Sequence, residues 1–381
     1  MKIVEFIKKK KQSLIQLGGS LLLLLIAAGV GIFMGLKETN GLGKYVDEVY
    51  EYYEDSNWVA LYKYAEYTGD EFINEYFFEQ MSQSLYGEID SSKLSLGDVD
   101  EDDGIATINL NYKDADGNSV TWKAKLSEKS EKNYLLFNQW KFDISDFIVK
   151  DCKVTALTDF QVYVDGVLLT EENAAKTEDT EQGTVTYTIP QIFKGEHTVY
   201  IKKDLLGVIE ATVVWDEDGG SYVLDKEQLS LDQTETAKIQ SSAETIVGLM
   251  YKAIFDEAGT DEVNGYFVQS EEVKAKLTSV YDNMLAAIQP EDGSTLNSIS
   301  ITGFTDGNVK LSYPSDVEVT IGFDCTFKAR GPRNEGGGIR EKYEGTATST
   351  ITLHFVRSGE EWLCSDLNMT CIDYSKKEEQ Q

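Results

Sequence analysis

The sequence predicts an α+β protein with a transmembrane helix, a helix-plus-antiparallel-sheet unit, a small β-sandwich and a second helix-plus-sheet unit. Three observations predict it: a long uncharged apolar run, two regions where hydrophobic spacing changes from helical to alternating, and strand-like segments between them. The 381 residues suffice for two to four domains of about 100–200 residues. A hydrophobic fraction of 41% supplies packed cores.

The apolar run Leu14–Leu36 has 23 residues and no charge. As a helix it would reach about 34 Å, enough to cross a hydrocarbon core of about 30 Å. Five lysines and one acid, Glu5, precede it, which predicts a cytoplasmic basic stub over 1–13 and extracellular C-terminal domains. The alternative is a cleaved signal peptide with Ala27 and Gly29 near the cleavage site. We expect a retained single-pass anchor in the lipid bilayer of the cell membrane.

The formal net charge is −31, and the acidic excess lies after the apolar run. Binding of nucleic acid or anionic polymers needs clustered lysine and arginine, so this exterior would repel both. The sequence therefore predicts no nucleic-acid partner. It suits a soluble ectodomain, or one that meets cations or basic partners.

The first predicted domain, 44–148, combines helices with a β-meander. Aromatic and aliphatic residues recur at helical spacing, and Asp55 or Ser56 is predicted to cap the second helix and Asp70 the third. From Ala106 the hydrophobic period changes to two, which predicts antiparallel strands.

The second predicted domain, 149–230, shows strand patterns only. Alternating segments end at turn residues, and the segment from Val185 to Ile189 is predicted to end at Pro190. Short strands at this spacing indicate a small β-sandwich.

The third predicted domain, 231–375, repeats the outline of the first. A long helix is followed by a second that Ser270 caps and that runs to about Ile288. Strict alternation from Val317 to Ala329 then predicts a strand with one apolar face. Residues 376–381 form a polar tail.

The cysteines are Cys152, Cys325, Cys364 and Cys371. Pairing the apolar faces of the last strands puts Cys325 beside Ala347 and Cys371 beside Gly345, about 9–10 Å apart across two strands. A disulfide needs Cα atoms within about 7 Å, so none is expected inside this meander. Cys364 is predicted on the outer face of the sheet, and Cys152 is predicted at the boundary between the first two predicted domains. We expect all four to be reduced.

Catalytic chemistry has few candidates. His197 and His354, the two histidines, lack a partner at metal or triad spacing, and both are predicted to be surface residues. No nucleophile, metalloprotease or nucleotide motif is present. An enzyme pocket would need an inward acid, whereas Glu318 and Asp324 are predicted to face outward. The sequence predicts no catalytic residue, no metal site, no cofactor and no enzymatic activity.

Three acidic segments could bind a hard cation: Asp98–Asp103, Asp114–Asn118 and Asp216–Asp218. The last two fit hairpin turns, which favour Asp, Gly and Asn. The first is predicted to be a loop before a strand. A calcium-dependent adhesion module is therefore kept as an alternative.

A basic, glycine-rich loop carries Arg330, Arg333 and Arg340. A strand is predicted after it, and a phosphate cradle would need a helix there. The loop is either a flexible hairpin tip or a contact site for an acidic wall polymer or protein partner. The tyrosines of the first predicted domain either fill its core or line a glycan- or peptide-binding face. These residues are Tyr45, Tyr50, Tyr52, Tyr53, Tyr62, Tyr64 and Tyr67.

The order of elements and three strand motifs resemble the TcaA-type envelope proteins of Gram-positive bacteria. The motifs are Phe160–Gly166, Tyr187–Pro190 and Phe193–Val199. Both helix-plus-sheet units resemble NTF2-like domains, a cone of helices against a curved sheet. The family usually opens with a cytoplasmic zinc ribbon, and this sequence has no N-terminal cysteine. The resemblance implies a non-enzymatic role at the cell envelope, linked to wall-antibiotic stress.

We therefore expect a membrane-anchored protein that binds or scaffolds an envelope protein or wall component. The alternative from a different class is a small-ligand carrier or enzyme that uses the pocket of an NTF2-like unit.

Overall fold

The computed structural model describes residues 22–114, 117–133, 137–216, 219–305, 307–332 and 340–375. Its helices are α1 (22–40), α2 (Leu42–Glu54), α3 (Trp58–Tyr64), α4 (Glu75–Tyr86), α5 (Gln233–Asp256) and α6 (Glu271–Ile288). Its strands are β1 (Leu94–Asp102), β2 (Ile105–Lys113), β3 (Ser119–Asn133), β4 (Phe137–Phe142), β5 (Ile148–Leu157), β6 (Gln161–Val164), β7 (Val167–Leu168), β8 (Ala175–Asp179), β9 (Thr184–Phe193), β10 (Gly195–Lys202), β11 (Ile209–Trp215), β12 (Ser221–Val223), β13 (Thr295–Phe304), β14 (Asn308–Ser312), β15 (Asp316–Arg330), β16 (Lys342–Ser358) and β17 (Glu361–Asn368). The predicted α+β class is confirmed.

One helix of the described chain is long and apolar enough to span a membrane. It runs over Leu22–Glu54 with a bend at Gly41, so that α1 and α2 are nearly continuous. The most apolar part of this helix is not buried anywhere along its length. Residues 14–21 of the predicted span, and the lysines of the basic stub, lie outside the described residues.

The chain packs into two compact units. The first comprises the described residues up to Thr158 with Val162–Val199 and Ala211–Val223. The second comprises Asp159–Gln161, Tyr200–Glu210 and the described residues from Leu224 onward. The division into domains 44–148, 149–230 and 231–375 stays a prediction.

The first unit places α2, α3 and α4 against an antiparallel sheet with strand order β1-β2-β3-β4. Its core is built where one face of each helix meets the inward positions of β2 and β3. Val49, Tyr53, Leu61, Ile108 and Leu110 are all fully buried there. Helical spacing followed by alternation therefore produces the packing it predicts.

Two asparagines begin α3 and α4, so the predicted caps Asp55, Ser56 and Asp70 are wrong. The side-chain oxygens of Asn57 and Asn74 each accept the N–H three residues on, over 3.1 Å. Asp70 instead accepts two N–H groups of the turn before α4, so the helix starts later.

Two four-stranded sheets follow, with orders β11-β10-β6-β7 and β12-β5-β9-β8. The predicted end of a strand at Pro190 is wrong, because β9 continues through it. The β5–β9 ladder skips Pro190 and Asp151, and Asp151 takes a left-handed conformation with φ 57°. Proline has no N–H to donate, so the ladder is interrupted at this one pair, and the register is the same on both sides of it.

In the second unit, α5 and α6 cover a sheet of order β13-β15-β16-β17, and β14 also pairs with β15. Ser270 caps α6 as predicted, accepting the N–H of Val273 over 3.2 Å. The strict alternation of β15 is confirmed, since every apolar residue from Val317 to Ala329 is buried while Asp324 is exposed.

The predicted pairing of Cys325 with Ala347 is confirmed. The predicted outward orientation of Cys364 is wrong, because this thiol is fully buried. A register shift after His354 places Cys364 opposite Phe355, an inward residue, and so turns it into the core.

Cys371 lies beyond the end of β17 and does not pair with Gly345, contrary to prediction. The ladder between β16 and β17 covers Thr352–Ser358 of β16 and does not reach Gly345. The four thiols, all described, are free in the structure. Their redox state in the cell stays a prediction.

Candidate binding cleft

A cleft of about 780 Å³ opens in the second unit. It lies between the N-terminal half of α5, the short 3₁₀ turn Asn264–Tyr266 and the tip of the β16–β17 hairpin. This volume falls in the range of small-molecule sites, about 300–1,000 Å³. The lining residues are Thr234, Ala237, Lys238, Ser241, Ser242, Gly265, Tyr266, Glu360, Glu361, Trp362 and Leu363.

The start of α5 determines which helix residues face the cleft. Asp232 caps the helix, and its side chain accepts the N–H of Glu235 over 2.7 Å. Positions three, four and seven apart share one face of a helix, so Thr234, Lys238 and Ser241 line the cleft together.

Glu235 lies behind this lining and is 3% exposed. One of its oxygens, Oε1, accepts from Lys238 Nζ over 2.6 Å. The other, Oε2, accepts from Arg357 over 2.9 Å and from Trp362 Nε1 over 2.7 Å. The hydrogen bond from Lys238 lowers the pKa of Glu235; burial opposes this, and Trp362 and Arg357 support it. A buried carboxylate with three donors is charged and fully hydrogen-bonded at neutral pH.

Trp362 is fixed from two sides. Its indole N–H is held by Glu235, and the guanidinium of Arg357 lies 5.4 Å from its ring centroid. A ring held in this way presents a preorganised aromatic surface to the cleft, which reduces the entropy lost on binding.

The space between this sheet and the helices α5 and α6 is filled by apolar side chains. Met250, Tyr251, Phe323 and Phe355 lie there with exposures of at most 2%. The alternative function, a small-ligand carrier or enzyme with its pocket in this interior, stays a hypothesis. The open space beside α5 lies at the edge of the core, where side chains are polar as well as aromatic.

Of the predicted contact arginines, the two that the structure describes, Arg330 and Arg340, do not line this cleft. Arg330 is exposed at the end of β15, opposite Lys342, and Arg340 is half-buried. Arg333 lies outside the described residues. The role of this loop in partner contact stays a prediction.

The prediction that His197 is a surface residue is wrong. It is 6% exposed, and its ring packs 4.9 Å from the centroid of Trp215. Asp165 and the Phe193 carbonyl lie within hydrogen-bond distance of its two nitrogens. His354 is partly exposed on β16, and its Nε2 is 3.7 Å from Glu318.

The predicted acidic loop at Asp98–Asp103 is wrong. Asp98 to Asp102 belong to β1, and the chain turns at Asp103 and Gly104. Charges along an edge strand oppose pairing with another sheet. Among the described residues, no group of three or more His, Cys, Asp or Glu is placed to hold a metal ion.

Most tyrosines of the first unit pack in its core. Tyr45, Tyr53 and Tyr62 are buried, and Tyr50, Tyr52, Tyr64 and Tyr67 are partly buried against the same cluster. Their spacing reflects the packing of helices against the sheet. A broad tyrosine face open to a glycan or peptide is not what this packing provides.

No protein-family model matches the sequence, and no curated protein matches it. Among solved structures, an NTF2-like protein involved in plasmid conjugation is a neighbour with a TM-score of 0.23 and 10% sequence identity. The match covers 74% of this chain and 78% of that chain. At this TM-score the similarity carries no argument about the fold or the function of this chain. No family match supports TcaA-type identity, and the resemblance to NTF2-like domains stays a prediction.

Sequence reasoning missed Glu235 and Trp362. The pattern Asp232-Gln-Thr-Glu235 was available, since an acid three residues after an aspartate cap marks the start of a helix. It could not reveal that Arg357 and Trp362, more than 120 residues later, would meet Glu235.

Proposed function

We propose that this chain is a membrane-anchored extracytoplasmic protein that binds a wall component or protein of the cell envelope without catalysing a reaction. The observation that carries the proposal is α1: an apolar helix, exposed along its length, joined to domains with their own apolar cores. Exposed apolar surface of this extent is stable in lipid and not in water.

The direction of insertion is argued from the lysines that precede the apolar run, because cytoplasmic flanks carry such clusters. The non-enzymatic character is argued from the absence of a recognisable catalytic motif in the sequence. The resemblance to TcaA-type proteins adds a role in envelope stress to this proposal.

Cysteine labelling in intact cells tests the topology. Two variants each introduce one cysteine. Glu181→Cys changes a residue of the exposed turn between β8 and β9, and Ser13→Cys changes a residue of the basic stub. Three of the native thiols are fully buried or nearly so, and Cys371→Ser removes the fourth from the background. We expect a membrane-impermeant maleimide to label Glu181→Cys in intact cells and Ser13→Cys only after permeabilisation.

Crosslinking of the full chain in intact cells then identifies what it contacts. We expect an envelope protein or wall fragment in the crosslinked product. Protection of Glu181→Cys in intact cells, or recovery of the full chain in the soluble fraction, would contradict the proposed anchor and orientation.

A further inference from the structure

We propose that the cleft beside α5 binds a short uncharged saccharide, which stacks on Trp362 and Tyr266 and hydrogen-bonds to hydroxyl groups of α5. This deepens the proposed function and rests on it for one point, the envelope as the source of the saccharide. The binding chemistry itself is argued from the cleft.

Part of the lining of the cleft is made of small residues. Ala237, Ser241 and Ser242 lie on adjacent turns of α5, and Gly265 faces them from the 3₁₀ turn. Small residues on both sides leave a trough beside the helix with a volume of about 780 Å³. This volume lies within the range of small-molecule sites, about 300–1,000 Å³.

Two aromatic side chains provide apolar surface in this trough. Trp362 is oriented by Glu235 and Arg357, and Tyr266 is 37% exposed on the 3₁₀ turn. An aromatic face offers a flat apolar area beside a polar group. The C–H face of a pyranose ring matches such a surface in size and shape.

Hydroxyl groups supply the polar contacts. Thr234, Ser241 and Ser242 can each donate one hydrogen bond and accept others, and Glu360 and Glu361 can accept at the mouth. Sugar hydroxyls also donate and accept, so they can satisfy this lining. A purely apolar ligand would displace water from these groups without replacing its hydrogen bonds.

Charge argues against anionic ligands. The ammonium of Lys238 is paired with Glu235 over 2.6 Å, and Glu360 and Glu361 lie at the mouth of the cleft. The whole chain carries −31. Phosphorylated or acidic ligands would meet this field on approach, whereas an uncharged saccharide would not.

The test uses the full chain in lipid nanodiscs and isothermal titration with cellotetraose and chitotetraose, which differ in their acetamido groups. We expect at least one to bind with a dissociation constant between about 10 μM and 1 mM. Ser241→Trp fills the trough from an exposed position of α5, and Tyr266→Ala removes one aromatic wall. Each should weaken binding by about tenfold or more.

Matched controls carry the same changes elsewhere. Thr278→Trp lies on the exposed face of α6, and Tyr76→Ala removes a tyrosine that is 62% exposed. Both should bind as the wild type does. The proposal is overturned if neither saccharide binds at 10 mM, a limit on the order of the weakest specific affinities. It is equally overturned if Ser241→Trp binds like Thr278→Trp.

A tetralysine peptide forms the competing arm, since carboxylates and aromatic rings also suit a cation. Peptide binding that Ser241→Trp abolishes, without saccharide binding, would assign the cleft to basic peptides and overturn the proposal. Cosedimentation of wild type and Ser241→Trp with purified walls distinguishes a wall glycan from a free oligosaccharide. Failure of the saccharide arm with the expected cysteine labelling would refute this inference alone.

Discussion

The imidazole Nδ1 of His197 lies 2.7 Å from a carboxylate oxygen of Asp165, inside the first unit. Its other nitrogen, Nε2, lies 2.8 Å from the carbonyl oxygen of Phe193, which can only accept. The second oxygen of Asp165 accepts the N–H of Thr198 over 2.8 Å. The pair therefore connects the turn after β6 to the start of β10.

Replacing His197 should destabilise the first unit strongly. In His197→Phe, the Asp165 carboxylate and the Phe193 carbonyl both lose their imidazole partner, and leaving a buried polar group without its partner costs about 1–3 kcal/mol. His354→Phe is the matched control, because His354 is partly exposed and should change stability by less than about 1 kcal/mol. Chemical denaturation measures both, and equal losses would contradict a structural role for the buried pair.

Glu235→Gln should lower stability in a pH-dependent way. The pKa of Glu235 is lowered in the folded protein, first by Lys238 and then by Trp362 and Arg357 against the effect of burial. The stabilisation is complete above the unfolded pKa of about 4.3 and is lost as pH falls through the folded pKa. The difference in unfolding free energy between wild type and variant should therefore shrink between pH 6 and pH 3.

Glu360→Gln is the control for that series, since this residue is exposed at the hairpin tip. Its effect on unfolding should be small at every pH. A Glu235→Gln difference that grew toward acid pH would show that the carboxylate is not stabilised as a charged group.

The native thiols should react slowly. Burial raises the pKa of Cys364 to about 12 and that of Cys371 to about 11. At pH 8 a thiol with a pKa of 11 is ionised on the order of one part in a thousand, and the thiolate is the reactive form. Absorbance with a disulfide reagent should show slow labelling in buffer and rapid labelling of all four thiols in denaturant. Fast labelling of Cys364 in buffer would indicate local opening of β17.

Gly345 and Gly303 should respond differently to alanine. A Cβ at Gly345 would lie 2.6 Å from the ring of Phe327, whereas nothing lies within 4 Å of a Cβ at Gly303. Phe327 is 6% exposed in the core and has little room to move. Gly345→Ala should cost about 1–3 kcal/mol, because overpacking strains neighbouring side chains, and Gly303→Ala should be nearly neutral. Thermal unfolding compares the two, and equal melting temperatures would contradict the close contact.

Several elements could be predicted because their signals are local. The cap of α6 at Ser270 and its end at Ile288 follow from residues within one or two turns. The pairing of Cys325 with Ala347 follows from matching two apolar faces. The same reasoning failed for Cys364, because the register between β16 and β17 shifts by one residue after His354. Alternation of apolar and polar residues alone does not reveal such a bulge.

The candidate cleft depends on contacts that no local pattern contains. Glu235 meets Arg357 and Trp362 across 122 and 127 residues of sequence. His197 likewise meets Asp165 across 32 residues. Each of these polar groups is typical of a protein surface when its neighbours in sequence are considered alone.

The sequence by itself determined the apolar helix, the acidic exterior and the order of helices and strands. Length, charge and hydrophobic period depend only on neighbouring residues, and they are complete before the chain folds. The tertiary structure decided which polar groups became buried, where a cleft opened and which aromatic ring was fixed beside it. Those properties depend on the dielectric, hydrogen-bond partners and packing that distant segments supply once they meet.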